Sequence, residues 1–193
     1  MIRTVEESRA WRPEHPGWSH DILPFYTMLA ELIPHGGTFV EVGVFLGRSL
    51  RYMAEIRPDI NIWAVDPWLD GESQGYTGPC EHSEYVQKHG GLFRAFVASM
   101  PDLSRIHIHR GTSDTLDVIA DAVFIDGAHD HESVDNDIYN AMLWRAKFIS
   151  GHDYNPEWTP EDGKDDGRAG VILAVQEAFG KPELYGTCWM VRR

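Results

Sequence analysis

Cysteine is scarce in this chain: its 193 residues hold two, Cys80 and Cys188, far apart and in no C-x-x-C pair. That excludes a disulfide framework and a thiolate metal site, and makes a reducing cytoplasm the expected compartment. Basic charge is short as well, with 17 Lys and Arg against 30 Asp and Glu and a formal net charge of -13. A surface so acidic repels a phosphate backbone and offers no basic stripe, so nucleic acid is not an expected partner. No uninterrupted apolar run approaches the roughly 18 residues of a membrane span, and the opening MIRTVEESRAWRPEHPGW is charged without an apolar stretch. Neither membrane contact nor secretion is expected. Internal repeats and low-complexity tracts are missing too, and Pro and Gly are spread evenly. One domain over 1–193 is the expectation, its first 36 residues being an arm and a covering helix.

What the sequence does contain is an alternation of apolar patterns. Ile22, Phe25, Tyr26, Leu29, Leu32 and Ile33 recur at helical spacing until Pro34 and Gly36-Gly37 end the pattern. Strands are predicted at 38–42, 61–65, 106–109, 122–125 and 148–150, and a last one at 188–191. Helices are predicted at 47–56, within 83–100, and at 132–145 and 171–179. Strand and helix alternating at this spacing predict an α/β fold, a mostly parallel Rossmann-like sheet covered on both faces. Two long loops, LDGESQGYTGPCEH at 69–82 and YNPEWTPEDGKDDGR at 154–168, follow strands at their C-terminal ends, where ligands bind in open α/β sheets.

The stretch FVEVGVFLGRSL places Gly43 and Gly47 four apart between a strand and a helix, a turn that lets a ligand approach without meeting a Cβ. The first glycine of a dinucleotide fingerprint would stand two residues before Gly43, and here that residue is Glu41. A carboxylate there repels a pyrophosphate and favours a cofactor with an ammonium group, which disfavours a nicotinamide dehydrogenase. Nineteen residues after Gly47 comes Asp66, at the end of the second strand, where an acid accepts hydrogen bonds from ribose hydroxyls. Ribose and cation together point to S-adenosylmethionine.

The motifs EVGVFLGRS, AVDPW, RGTSD, VFIDGAHDHESV and ISGHDY, in this order, resemble those of class I S-adenosylmethionine-dependent methyltransferases. Within that class DGAHD followed by GHDY is similar to a bacterial small-molecule group that includes metal-dependent sugar O-methyltransferases of macrolide biosynthesis. The resemblance runs from about residue 20 to the end. It implies a sheet of about seven strands whose last strand is antiparallel. It further implies that Glu41, Gly43 and Gly47 line the methionine half of the cofactor, that Asp66 holds the ribose, and that Ser113 and Asp114 lie beside the adenine. Pro67 and Trp68 follow the ribose acid and are expected against the purine or ribose, plain core burial being the other reading of Trp68.

Asp126, His129, Asp130 and His131 crowd after one strand, and His152-Asp153 follows the next. Side chains leaving neighbouring parallel strands at one edge can converge, and two carboxylates in one pocket call for a cation or a raised pKa. The metal-dependent relatives hold magnesium through an acid matching Asp126 and two adjacent acids matching positions 152 and 153. Here the first of the two is His152, a departure that shifts the expected ion toward Mn²⁺ or means that no metal is held. In the metal-free reading Asp126 lies near the transferred methyl and His152 only packs. The same resemblance gives His129 as general base, since an imidazole of ordinary pKa, about 6.5, can take a proton near neutral pH. His131 and His152 are rivals for that role. Methyl transfer to the oxygen of a small-molecule acceptor is therefore expected, with Trp11 and Trp18 of the arm and the two long loops closing over it. A metal-independent N-methyltransferase and a catalytically silent S-adenosylmethionine-binding regulatory module are the alternatives. A homo-oligomer is compatible with the sequence without being required.

Overall fold

The computed structural model describes residues 4–14, 22–69, 81–155 and 169–193. Its centre is a seven-stranded sheet of β1 (Thr38–Val42), β2 (Asn61–Val65), β3 (Ile106–His109), β4 (Ala122–Ile125), β5 (Phe148–Gly151), β6 (Glu183–Tyr185) and β7 (Cys188–Arg192). Their order across the sheet is β3-β2-β1-β4-β5-β7-β6. The first five strands run parallel, and β7 pairs antiparallel with both β5 and β6. This is the expected class I sheet, antiparallel last strand included. Strand β6 was not foreseen, because three residues of which two are exposed carry no apolar alternation.

Helices α1 (Val5–Ala10), α2 (Leu23–Leu32), α3 (Arg48–Ile56), α4 (Glu81–His89), α5 (Leu92–Ser99), α6 (His131–Leu143) and α7 (Ala169–Phe179) cover the sheet. One face packs Phe39, Ala64 and Phe124 against α2, α3 and α5, and the other packs Val40, Val123 and Ile149 against α6 and α7. Strands buried on both faces explain the near-continuous apolar runs, AVFI of β4 being buried at every position. The single helix predicted within 83–100 is two. Gly90 (φ 72°) and Gly91 (φ 126°) take left-handed backbone that ends α4 and starts α5.

The arm contains α1, started by a capping box in which the Thr4 hydroxyl accepts the Glu7 amide and the Glu7 carboxylate accepts the Thr4 amide. Trp11 donates its Nε1–H to Glu55 and meets the Tyr52 ring edge-on at 5.3 Å. The expectation that Trp11 closes over a ligand is thus corrected: the ring packs the arm onto α3. Trp18 and most of both long loops lie outside the described residues.

The hydrogen-bond ladder continues past the strand ends: Gly43 donates to Val65, Asp66 to His109, Asp126 to Val42 and His152 to Ile125. Parallel register therefore brings Gly43, Asp66, Asp126 and His152 into one row at the C-terminal edge. The strand order reverses at β1, which makes this row the crevice where such sheets bind ligands.

Candidate active site

After β1 the chain turns through Gly43 (φ 84°), Phe45 (φ 54°) and Gly47 (φ 75°) into α3. A phenylalanine in left-handed backbone costs about 1 kcal/mol, and the surroundings hold it there. Its N–H donates to Asp66 Oδ2 at 2.8 Å, and its carbonyl accepts the Trp68 indole N–H at 2.8 Å. Asp66 also accepts the Val44 amide on Oδ2 and the Trp68 amide on Oδ1. Among the described residues three of about four carboxylate lone-pair sites are filled, so Asp66 ties the cradle to β2 and keeps one Oδ1 lone pair. Burial pushes its pKa up, against the three amide donors. Pro67 is partly exposed beside it. Of the two readings of Trp68, core burial holds: its ring is 1% exposed, tilted against Phe96 at 4.7 Å and edge-on to Phe93 at 5.4 Å, supporting the cradle from beneath.

Packing alone requires the two glycines, whatever ligand approaches them. A Cβ on Gly43 would land on the Asp126 carbonyl and 2.5 Å from Gly127 Cα, and one on Gly47 would lie 2.7 Å from the Phe96 ring. Close packing of the β1 and β4 ends demands the first, helix packing the second. Gly43→Val should therefore cost at least about 3 kcal/mol through overpacking and left-handed strain. Urea denaturation measures this, and an unchanged midpoint would mean that the turn moves freely.

Glu41 lies on the α2–α3 face of β1, 1% exposed. The Ser49 hydroxyl donates to its Oε1 at 2.7 Å, and the buried Tyr26 hydroxyl lies beside the carboxyl. Burial pushes the Glu41 pKa up to about 8, outweighing the Ser49 and Tyr26 hydroxyls, and Asp126 and Asp66 raise it further.

Beyond β4 and β5, four side chains meet. His129 Nε2 lies 3.0 Å from Asp153 Oδ2, and His152 Nδ1 lies 3.4 Å from the same oxygen and 3.6 Å from Asp126 Oδ1. Burial alone would raise the Asp153 carboxyl, but hydrogen bonds from His129 and His152 hold it well below the usual range. Asp126, His152 and Asp153 each offer a ligand atom within 4.8 Å of the others. On the far side, His152 Nε2 meets the Thr187 hydroxyl at 2.9 Å. That partner can accept Nε2–H and leave Nδ1 bare, the tautomer that a metal ligand needs. Two carboxylates and one imidazole suit Mn²⁺ better than Mg²⁺.

A family profile described as "Methyltransferase domain" matches residues 40–154, more than half of the chain. The chain belongs to this methyltransferase domain family. Its sheet is that of the class I methyltransferase fold. An O-methyltransferase from Bacillus cereus, solved with S-adenosylhomocysteine (SAH), is 14% identical with a TM-score of 0.54, over 98% of this chain and 90% of that one. MycE of the mycinamycin biosynthetic pathway, solved with Mg and SAH, is 14% identical with a TM-score of 0.59, over 100% of this chain and 55% of that one. Among curated proteins, Uncharacterized protein R132 of Acanthamoeba polyphaga mimivirus is 25% identical over 130 residues, 64% of this chain. The methyltransferase spans about half the length of that relative, 55%. Among the described residues no helix is long and apolar enough to cross a membrane.

The row thus unites Glu41, Gly43, Asp66, Asp126, His129, His152 and Asp153. His131 is turned away and pairs with Glu177 of α7 at 2.8 Å. Ser113, on a 3-10 turn after β3, is 1% exposed, and Asp114 beside it is exposed. Thr187 went unnoticed in the sequence, Tyr26 was read only as part of an apolar helix face, and Ser49, though it ends the motif EVGVFLGRS, was given no role. They reach the site through the β6–β7 hairpin, α2 and α3.

Proposed function

We propose that this methyltransferase moves the cofactor's methyl group to a hydroxyl of a small molecule, with His129 as general base and Asp126, His152 and Asp153 holding a divalent cation. The His129–Asp153 pair beside the cradle carries this reading. With Nε2–H given to the Asp153 carboxylate, Nδ1 keeps its lone pair and is the atom that takes the acceptor's proton. The acceptor oxygen forms its bond to the methyl carbon as the carbon–sulfur bond breaks, and SAH is left. A bound cation would stabilise negative charge developing on that oxygen. The methionine end would lie by Glu41, Gly43 and Gly47, the ribose by Asp66 and Pro67, and the adenine by Asp114. Two similar structures that hold SAH, one of them with Mg, support the cofactor and the ion.

Glu41 supplies a test. An ammonium nearby favours its ionised form, so cofactor binding at pH 7 should release protons from a carboxyl raised to about 8. The release should fade above pH 9, where the carboxyl is already ionised. Titration calorimetry of SAH in two buffers of different ionisation enthalpy reads both affinity and proton release. Tight NAD binding with no heat from SAH would overturn the cofactor.

A further inference from the structure

Ser113 was expected beside the adenine, yet its hydroxyl is fully used. It donates to Asp137 Oδ1 at 2.6 Å and accepts the Asn140 amide at 3.0 Å, with Asn136 Nδ2 at 3.5 Å. A hydroxyl has one hydrogen and two lone pairs, so nothing remains for a ligand. The unused atom is the other carboxylate oxygen of Asp137. Asp137 sits on the inner face of α6, 7% exposed, and its Oδ2 accepts no hydrogen bond from the described residues and is not fully enclosed. A Cβ on Gly127 would have Oδ2 as its nearest neighbour, at 3.6 Å, with Val42 Cγ1 next at 4.0 Å. Oδ2 therefore lies over the first residues past β4, between the 3-10 turn and the β1–β4 crevice. A carboxylate oxygen left unpaired in so buried a place lacks a donor.

We infer that Asp137 is a specificity-determining residue for the cofactor's base, its Oδ2 accepting a hydrogen bond from the exocyclic amino group of adenine. The inference rests on the cofactor reading above and adds a residue to it. Burial pushes the Asp137 pKa up to about 6 against the Ser113 hydrogen bond, and Asp114 and Asp130, the charged groups facing it, add to the rise. Above that pH the group is a carboxylate, which accepts hydrogen bonds and donates none. It welcomes an amine and rejects a carbonyl oxygen at the same position. Exposed Asp114 is free to face solvent, and the selection falls to the buried acid.

The test compares SAH with its deaminated analogue S-inosylhomocysteine, in which a carbonyl replaces the amine. The unaltered protein should bind SAH about 10- to 100-fold more tightly, the worth of one hydrogen bond to a charged group. Asp137→Asn is nearly isosteric and, because the Ser113 hydroxyl on its other side can donate or accept, can present either an amine or an oxygen to the base. Its ratio should fall to within about threefold of one, whereas Asp135→Asn, at an exposed acid of the same helix, should leave the ratio unchanged. If Asp137 only positions Ser113, both ligands weaken together and the ratio stays, which overturns the inference. A ratio near one in the unaltered protein, a measurement that needs no variant, overturns it as well. Absence of binding by either ligand overturns the cofactor reading itself, a distinguishable result.

Discussion

His129→Ala should lower turnover by about 10²- to 10⁴-fold, the usual cost of losing a general base, while affinity for SAH stays within a factor of two or three. The split follows from position. The His129 side chain is 34% exposed and touches Asp153, not the cradle, so its removal takes away a proton acceptor and little packing. An alcohol oxygen is a poor nucleophile while it keeps its proton, and Asp153 orients the imidazole that removes it. His129→Gln separates orientation from chemistry, because its amide nitrogen reaches the Nε2 position and can still donate to Asp153 but takes no proton. Both variants should be equally slow. Steady-state turnover with a hydroxyl acceptor and calorimetry with SAH read the two quantities. Turnover within threefold of the unaltered protein would remove His129 as the base, and lost SAH affinity would make it a structural support of the cradle.

Chelation of divalent cations should lower turnover by about 10²-fold or more, the scale of several kcal/mol of charge stabilisation, and Mn²⁺ should restore it at least as well as Mg²⁺. The reason is the ligand set of two carboxylates and the His152 imidazole. Mg²⁺ strongly prefers oxygen, whereas first-row divalent ions accept nitrogen. His152→Asp should shift the preference toward Mg²⁺, since it supplies a third oxygen ligand. The variant also loses the Thr187 contact that orients the ring, so its absolute affinity for Mn²⁺ should drop by about 10- to 100-fold. Metal titrations with and without activity assays read these changes. Full turnover in excess chelator would take the cation out of the mechanism.

Most of the sheet was legible because its signal is local. A buried parallel strand reads as a short apolar run between turn residues, and β1, β2, β4 and β5 announce themselves in that way, whereas β3 shows the alternation IHIH. The row of Gly43, Asp66, Asp126 and His152 follows from counting to the strand ends, since parallel register aligns them. The break at Gly90–Gly91 was readable in kind, but whether a glycine pair ends a helix depends on what packs at either side. Strand β6 and helix α1 were too short to show a period.

The sequence by itself determined the five parallel strands and β7, most of the helices between them, their order, and the acids and histidines that end the strands, because each depends on neighbours within a few residues. Only the tertiary structure decided what those groups touch. Gly43 is confined by the Asp126 carbonyl, Asp66 is shared among three amides, and Trp68 is enclosed by α5. Asp137 reaches Ser113 across 24 residues and Thr187 reaches His152 across 35, separations at which no periodicity survives. Hydrogen bonds of that span depend on helix placement and hairpin geometry, and these are fixed when the two faces of the sheet are buried together.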